Sequence, residues 1–115
     1  MVTTAYVPER GDVVWLDFDP QSGREQTGHR PALVLTPAFY NSRSSLALCC
    51  PITNQAKGYP FEVPVVAAAG SNVTGVVLCD QVAAQDWRAR NAARKAAVTI
   101  QCLQDVSAKI KTLLP

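Results

Sequence analysis

The side chains of this 115-residue chain that can do chemistry are concentrated in Ser22-Gly23-Arg24-Glu25-Gln26-Thr27-Gly28-His29-Arg30-Pro31. Arg30 is the one whose backbone is aimed. Proline disfavours the helical region for the residue before it, so Arg30 is held extended. Its guanidinium offers five donors on a permanently charged plane, which suits gripping a phosphate or a carboxylate. A strand-end arginine paired with a nearby acid would read the same from this segment alone. Gly23 and Gly28 bracket a polar stretch with the character of a mobile loop, and the apolar run Ala32-Leu33-Val34-Leu35 fixes the end of that loop to a sheet.

The elements that must position this segment follow from alternation and breakers. Val13 to Phe18 is a β-rich run closed by Asp19-Pro20, and Ala32 to Leu35 is a second strand ended by Thr36-Pro37. Thr36 before a proline at the first helical position predicts a short helix from Ala38 to about Arg43. Leu46 to Cys50, Phe61 to Val66 and Gly75 to Val82 read as three further strands, and Val65 to Gly70 as a strand end and loop. Short strands joined by polar turns predict a small barrel or sandwich. Ile100, Leu103, Val106, Ile110 and Leu113 recur at three- and four-residue steps behind a capping Thr99, which predicts a C-terminal helix. Trp87 is expected to be a packing anchor. Asp80 and Gln81 interrupt an apolar run and read as buried polar groups satisfying loop backbone, with a site role left open.

A chain of this length is the size of one domain, and its 48% hydrophobic content is ample for one core, so residues 1–115 are expected to form a single domain. It has no apolar segment long enough for a membrane span and no charged-then-apolar leader, so a cytoplasmic protein without a membrane is expected. Cys49, Cys50, Cys79 and Cys102 have no Cys-x-x-Cys spacing, and the lone His29 leaves few partners for a metal. All four read as reduced thiols in or near the core. On a strand, Cys49 and Cys50 would point to opposite faces and make a poor disulfide pair. The net charge of +2 says little about a nucleic-acid partner, but its distribution says more. Glu9, Asp12, Asp17 and Asp19 crowd the first strand, whereas Arg88, Arg90, Arg94, Lys95, Lys109 and Lys111 face only Asp105 after position 87. Such a basic surface would track a phosphate backbone, or would simply be a solvated face.

Three ordered segments carry a resemblance: Tyr6-Val7-Pro8-Glu9-Arg10-Gly11-Asp12-Val13-Val14-Trp15 through Pro20, Gly28-His29-Arg30-Pro31, and Cys50-Pro51-Ile52-Thr53-Asn54-Gln55-Ala56-Lys57-Gly58-Tyr59-Pro60-Phe61-Glu62-Val63. Together with Gly75 to Val82 and Trp87-Arg88-Ala89-Arg90, the chain from about Tyr6 to Lys111 resembles toxins of the MazF/PemK type. The resemblance implies a mainly β fold, an SH3-like barrel of the CcdB/Kid/MazF type with short helices and a C-terminal helix. It also implies a homodimer that cuts single-stranded RNA without a metal or other cofactor and is held in check by a cognate MazE-like antitoxin.

Metal-free cleavage of RNA requires the ribose 2′-hydroxyl to attack its own phosphate, which needs a base, a group that stabilises charge on phosphorus and an acid for the leaving 5′-oxygen. The products would be a 2′,3′-cyclic phosphate and a 5′-hydroxyl. The family's catalytic arginine precedes proline in this motif and corresponds to Arg30. Its catalytic threonine corresponds to Thr53, whose hydroxyl, just past Pro51 where a strand gives way to loop, could donate to a phosphate oxygen. A turn threonine bonding its own backbone is the plainer alternative. Some relatives carry two threonines where this chain has Thr53-Asn54, so a second hydroxyl is not available here.

Glu25 and His29 compete for the base. A carboxylate near pKa 4.3 is ionised but weakly basic, and a histidine near about 6.5 is better matched. Geometry favours Glu25, because extended His29 and Arg30 point to opposite faces. The resemblance also implies that a glutamate in this loop matters for activity. His29 is then left to support the loop or contact RNA. Gln21, Gln26, Asn54, Gln55 and Lys57 are candidates to meet bases and phosphates, and Trp15 or Tyr59 to stack an unpaired base. Trp15 could equally be core, and Lys57-Gly58 only a turn.

Two other function classes fit parts of the chain. A gyrase-poisoning toxin of the same fold would carry an aromatic, small-residue tail, which Leu113-Leu114-Pro115 is not. A non-catalytic SH3-like module binding RNA or peptide would line its groove with aromatics, and this chain has only 7% of them.

Overall fold

The apolar runs of the N-terminal half become the three central strands of one antiparallel sheet. In the computed structural model, residues 6–17 and 29–115 are described. Strand β1 spans Asp12–Asp17, β2 His29–Val34 and β3 Leu46–Thr53, with helix α1 (Ala38–Ser44) between β2 and β3. Then follow β4 (Glu62–Pro64), β5 (Val76–Leu78), a single 3₁₀ turn at Cys79–Gln81, β6 (Ala83–Asp86), β7 (Ala93–Ala97) and helix α2 (Ile100–Lys111). Phe18 and the candidates Gln21, Glu25 and Gln26 lie outside the described residues.

The strand order is β4-β5-β3-β2-β1-β7, and β6 pairs with the first half of β3. The ends of this path meet. Ala67, beyond β4, bridges Val98, beyond β7, and the Ala68 amide donates to the Ala97 carbonyl at 2.9 Å. The sheet therefore curls into the expected barrel, with the C-terminal helix placed as foreseen.

Alternation in the central strands sends successive side chains to two cores. Val13, Leu33, Cys50 and Ile52 join Val77, Cys102 and Val106 under α2. Val14, Leu16, Ala32, Val34, Ala47 and Cys49 pack on the other face with Trp87, Tyr6 and Val7. Burial on both faces explains why these strands read as nearly continuous apolar runs rather than strict alternation. Each fully buried valine or leucine contributes about 1.5–3 kcal/mol over an exposed one. Cys49 and Cys50 belong to different cores, and all four cysteines are free and buried.

Several local expectations are corrected. Strand β2 begins at His29, three residues early, because His29, Arg30 and Pro31 pair with Asp17, Leu16 and Trp15 of β1. Strand β3 runs on through Pro51 to Thr53, whereas β4 and β5 keep only three residues each. Strands β6 and β7 were not foreseen. Thr36 does not cap α1: its hydroxyl donates to Asn41 Oδ1 at 2.7 Å and accepts from the Leu48 amide at 3.1 Å. The Glu9 carboxylate instead receives the Ala38 amide at 2.9 Å, from 29 residues away in sequence. Thr99 does cap α2, accepting from the Cys102 amide at 3.1 Å, but the buried stripe is centred on Cys102 and Val106 and leaves Ile100 74% exposed. Asp80 and Gln81 are exposed rather than buried, because the 3₁₀ turn swings both out while Cys79 anchors it.

Trp87 is the expected anchor: it is buried, its indole N–H donates to the Asn41 carbonyl at 2.9 Å and the Arg88 guanidinium lies 4.3 Å from the ring centroid. Asn41 is itself fully buried, donating to the Pro8 and Thr36 carbonyls at 2.8 Å each. Among the described residues no helix is long and apolar enough to cross a membrane.

Candidate active site

Two prolines open the site. The β2–β3 ladder runs from Val34↔Cys49 to Ala32↔Pro51 and stops there. Neither Pro51 nor the adjacent Pro31 has an amide hydrogen to extend it. Continuing the same register by two residues sets Arg30 across from Thr53, at strand ends that diverge. Here an open groove of about 680 Å³ is lined by Arg30, Pro31, Pro51, Ile52, Thr53, Asn54, Gln55, Lys57 and Tyr59, together with Glu62, Leu78, Asp80 and Gln81.

Each lining group has a traceable support. Pairing to Leu16 fixes the Arg30 backbone while leaving the residue exposed. Thr53 pairs with Val76, and its Oγ1 accepts the Gln55 amide at 3.1 Å. The plain turn role is thus present, and the hydroxyl proton is still available to an outside acceptor. Gly75 lies against this strand end with φ +114; a methyl group there would come 2.5 Å from the Thr53 carbonyl oxygen. Asn54 Oδ1 accepts from the Thr74 hydroxyl at 3.0 Å.

The loop after Thr53 is shaped by a residue the sequence reading did not single out. The Glu62 carboxylate accepts the Lys57 amide at 3.0 and 3.2 Å and the Gly58 amide at 2.9 Å. Gly58 sits at φ +80, where a side chain would be strained. The loop presents Gln55, Lys57 and a 61% exposed Tyr59 to the groove. An acid four or five residues after a Lys-Gly pair was the available signal.

Two of the expected contact residues are elsewhere. His29 stacks on Trp15 with ring centroids 4.8 Å apart and planes at 35°, and its Nδ1 lies 3.7 Å from Asp17 Oδ1. Lys95 Nζ stands 5.1 Å from the Trp15 centroid and donates to the Asn72 carbonyl. Neither ring lines the groove, because both sit on alternate positions of β1 and β2 from those that carry Arg30. The C-terminal cations are largely tied down as well. Arg94 Nε reaches Asp12 Oδ1 at 3.5 Å, Arg90 donates to the Asp17 carbonyl and Arg88 to the Ser42 carbonyl.

The groove therefore offers a planar cation, a hydroxyl donor, the side-chain amides of Asn54 and Gln55 and a lysine to an anionic ligand. No cysteine lines it, and burial pushes the Cys49 and Cys50 thiols up to about 12 and Cys79 to about 11, so none of these is a ready nucleophile. Among the described residues, no group of three or more His, Cys, Asp or Glu side chains is arranged to hold a metal ion.

A curled antiparallel sheet with this motif order defines a toxin class: the chain belongs to the PemK-like, MazF-like toxins of type II toxin–antitoxin systems, whose family model matches residues 9–114. It is 49% identical over 113 residues to the endoribonuclease toxin MazF of Escherichia coli (strain K12), covering 98% of this chain and 99% of that one. It is 36% identical over 109 residues to the endoribonuclease PemK of Escherichia coli, covering 92% and 81%. Among solved structures, a chain of the MazE–MazF crystal structure (Form-II) from Deinococcus radiodurans superposes with a TM-score of 0.86 at 49% identity, covering 96% of this chain and 97% of that one.

Proposed function

We propose that this protein is an endoribonuclease toxin that cleaves single-stranded RNA in the Arg30–Thr53 groove without a metal ion. The observation that carries the reading is the convergence of Arg30 and Thr53 on one groove, in a chain 49% identical to a MazF endoribonuclease over nearly its whole length.

In the proposed reaction the ribose 2′-oxygen attacks the adjacent phosphorus. The O2′–P bond forms, the P–O5′ bond breaks, the 2′ proton passes to a base and the leaving 5′-oxygen takes up a proton. Arg30 grips the non-bridging oxygens as charge grows on them, and the Thr53 hydroxyl donates a second bond. Glu25 is proposed as the base. Asn54, Gln55, Lys57 and Tyr59 hold the strand, with Gln21 and Gln26 as further contacts. Trp15 and His29 serve only an RNA path that continues onto the opposite face.

The protein is further proposed to act in the cytoplasm as a homodimer, which would extend a shallow groove and bring a second set of cations to the RNA. A cognate antitoxin would neutralise it, in keeping with the MazE–MazF complex that it resembles. An acidic segment folding into the same groove would occlude it in a salt-dependent way.

The test is to incubate the purified protein with a long RNA in excess chelator and map both new ends. Cleavage with a 2′,3′-cyclic phosphate and a 5′-hydroxyl is expected, and none where the cut-site 2′-hydroxyl is replaced by hydrogen. Activity that vanishes in chelator and returns with magnesium would overturn the metal-free reading, as would efficient cutting of the 2′-deoxy substrate.

A further inference from the structure

Among the described residues two carboxylates line the groove, and they are in opposite situations. Glu62 is engaged by the amides of Lys57 and Gly58 and so builds the groove wall. Asp80 is exposed in the same groove, and among the described residues no hydrogen bond or ion pair engages it. Its backbone is not loose: the Cys79 amide beside it donates to the Phe61 carbonyl at 3.0 Å, and Cys79 is fully buried.

An unengaged negative charge in a groove for a polyanion repels any phosphate that approaches it. It becomes favourable only where the ligand presents hydrogen-bond donors. In single-stranded RNA those donors are the ribose 2′-hydroxyls, which are the same at every nucleotide, and the groups on the exposed Watson–Crick edges of the bases, which differ from base to base. Adenine and cytosine each present an amino group there, and guanine an amino group beside an N–H. Uracil has one N–H flanked by two carbonyl oxygens. A carboxylate can only accept, so it is attracted by the first three edges and repelled by the uracil carbonyls.

On the reading that this groove cleaves RNA, we infer that Asp80 is a specificity-determining residue that selects an amino-bearing base at one position of the cleaved sequence and excludes uracil from it. Arg30 and Thr53 would handle the phosphate, and Asp80 would read a base nearby on the same strand.

The experiment compares cleavage maps of one long RNA for the wild type, Asp80→Asn and Asp80→Ala, with thermal melts confirming that each is folded. Asn is nearly isosteric but uncharged and also donates, while Ala removes the acceptor altogether. Both variants are expected to keep cutting while admitting uracil at one position, with discrimination against it falling about 5- to 100-fold, the range typical of a good side-chain-to-base pairing. Unchanged base preference at every position would overturn the inference. So would a uniform rate loss with no change of preference, the signature of a group acting on the phosphate. A wild-type protein that cuts no RNA would overturn the underlying reading instead.

Discussion

The paired ends of β1 and β2 present two faces of contrasting character. On one, Arg30 and Thr53 line a single open groove. On the other, His29 lies on Trp15 beneath Lys95, with Asp17 alongside, so that its chemistry is largely turned inward. His29 and Arg30 are adjacent in the chain, and a histidine is the better proton carrier by type. The period of a strand nevertheless assigns them to different surfaces, so position on the pleat outweighs residue type in deciding which group can act on the groove.

The largest expected effect separates these faces directly. Arg30→Ala should lower single-turnover RNA cleavage by about 10²–10³, the usual consequence of removing one preorganised donor to a developing oxyanion. His29→Ala should cost far less, and both variants should melt near the wild-type temperature because neither side chain fills the core. Comparable losses in the two variants would dissolve the contrast.

A backbone change reaches the groove without replacing any of its lining side chains. Gly75→Ala strains a φ of +114 and drives a methyl into the Thr53 carbonyl, so stability should fall by about 1–3 kcal/mol. At temperatures where it remains folded, cleavage should still fall, because Thr53 is displaced. A folded variant with full activity would show that the Thr53 position is not critical. Asn41→Ala supplies the counterpart away from the groove. It strands the Pro8 and Thr36 carbonyls and should cost about 1–3 kcal/mol in denaturant titration, with unchanged cleavage by the folded fraction.

The smallest effect concerns the turn that follows β6. The Ala89 amide, helped by the Ser45 hydroxyl, holds the Asp86 carboxyl below its ordinary range. A depressed folded-state value means that this stabilisation is present above the unfolded-state pKa and is lost as pH falls through the folded-state one. Asp86→Asn should therefore lower the melting temperature slightly at neutral pH and converge with wild type once the pH has fallen below the folded-state value, beneath the ordinary carboxylate range. A difference that persists in acid would assign the effect to packing instead.

The sequence exposed what depended on local pattern and hid what depended on distant partners. Strands β1 to β3 were legible because Val13-Val14, Leu33-Val34 and Leu48 to Cys50 are strong strand formers, and α2 because Thr99 and Val106 mark its start and face. Strands β6 and β7 were illegible: Ala83-Ala84-Gln85-Asp86 and Ala93-Arg94-Lys95 have little strand preference and extend only because β3 and β1 offer them edges. Within the groove, Arg30 was marked by the following proline, and the register later set Thr53 opposite it. Asp80 was misread because an acid inside an apolar run looks buried until the turn around Cys79 is known. Glu62 was passed over because its ligands are backbone amides, which leave no trace in residue types.

The central claim is that Arg30 and Thr53 act together on one phosphate, and a double-mutant cycle tests it most directly. Single-turnover cleavage of one mapped RNA site would be measured for wild type, Arg30→Ala, Thr53→Ala and the double variant, each confirmed folded by circular dichroism. Groups that stabilise the same developing charge are strongly non-additive, so the double variant should be little slower than Arg30→Ala alone. Losses that multiply, as for two independent sites, would contradict the account.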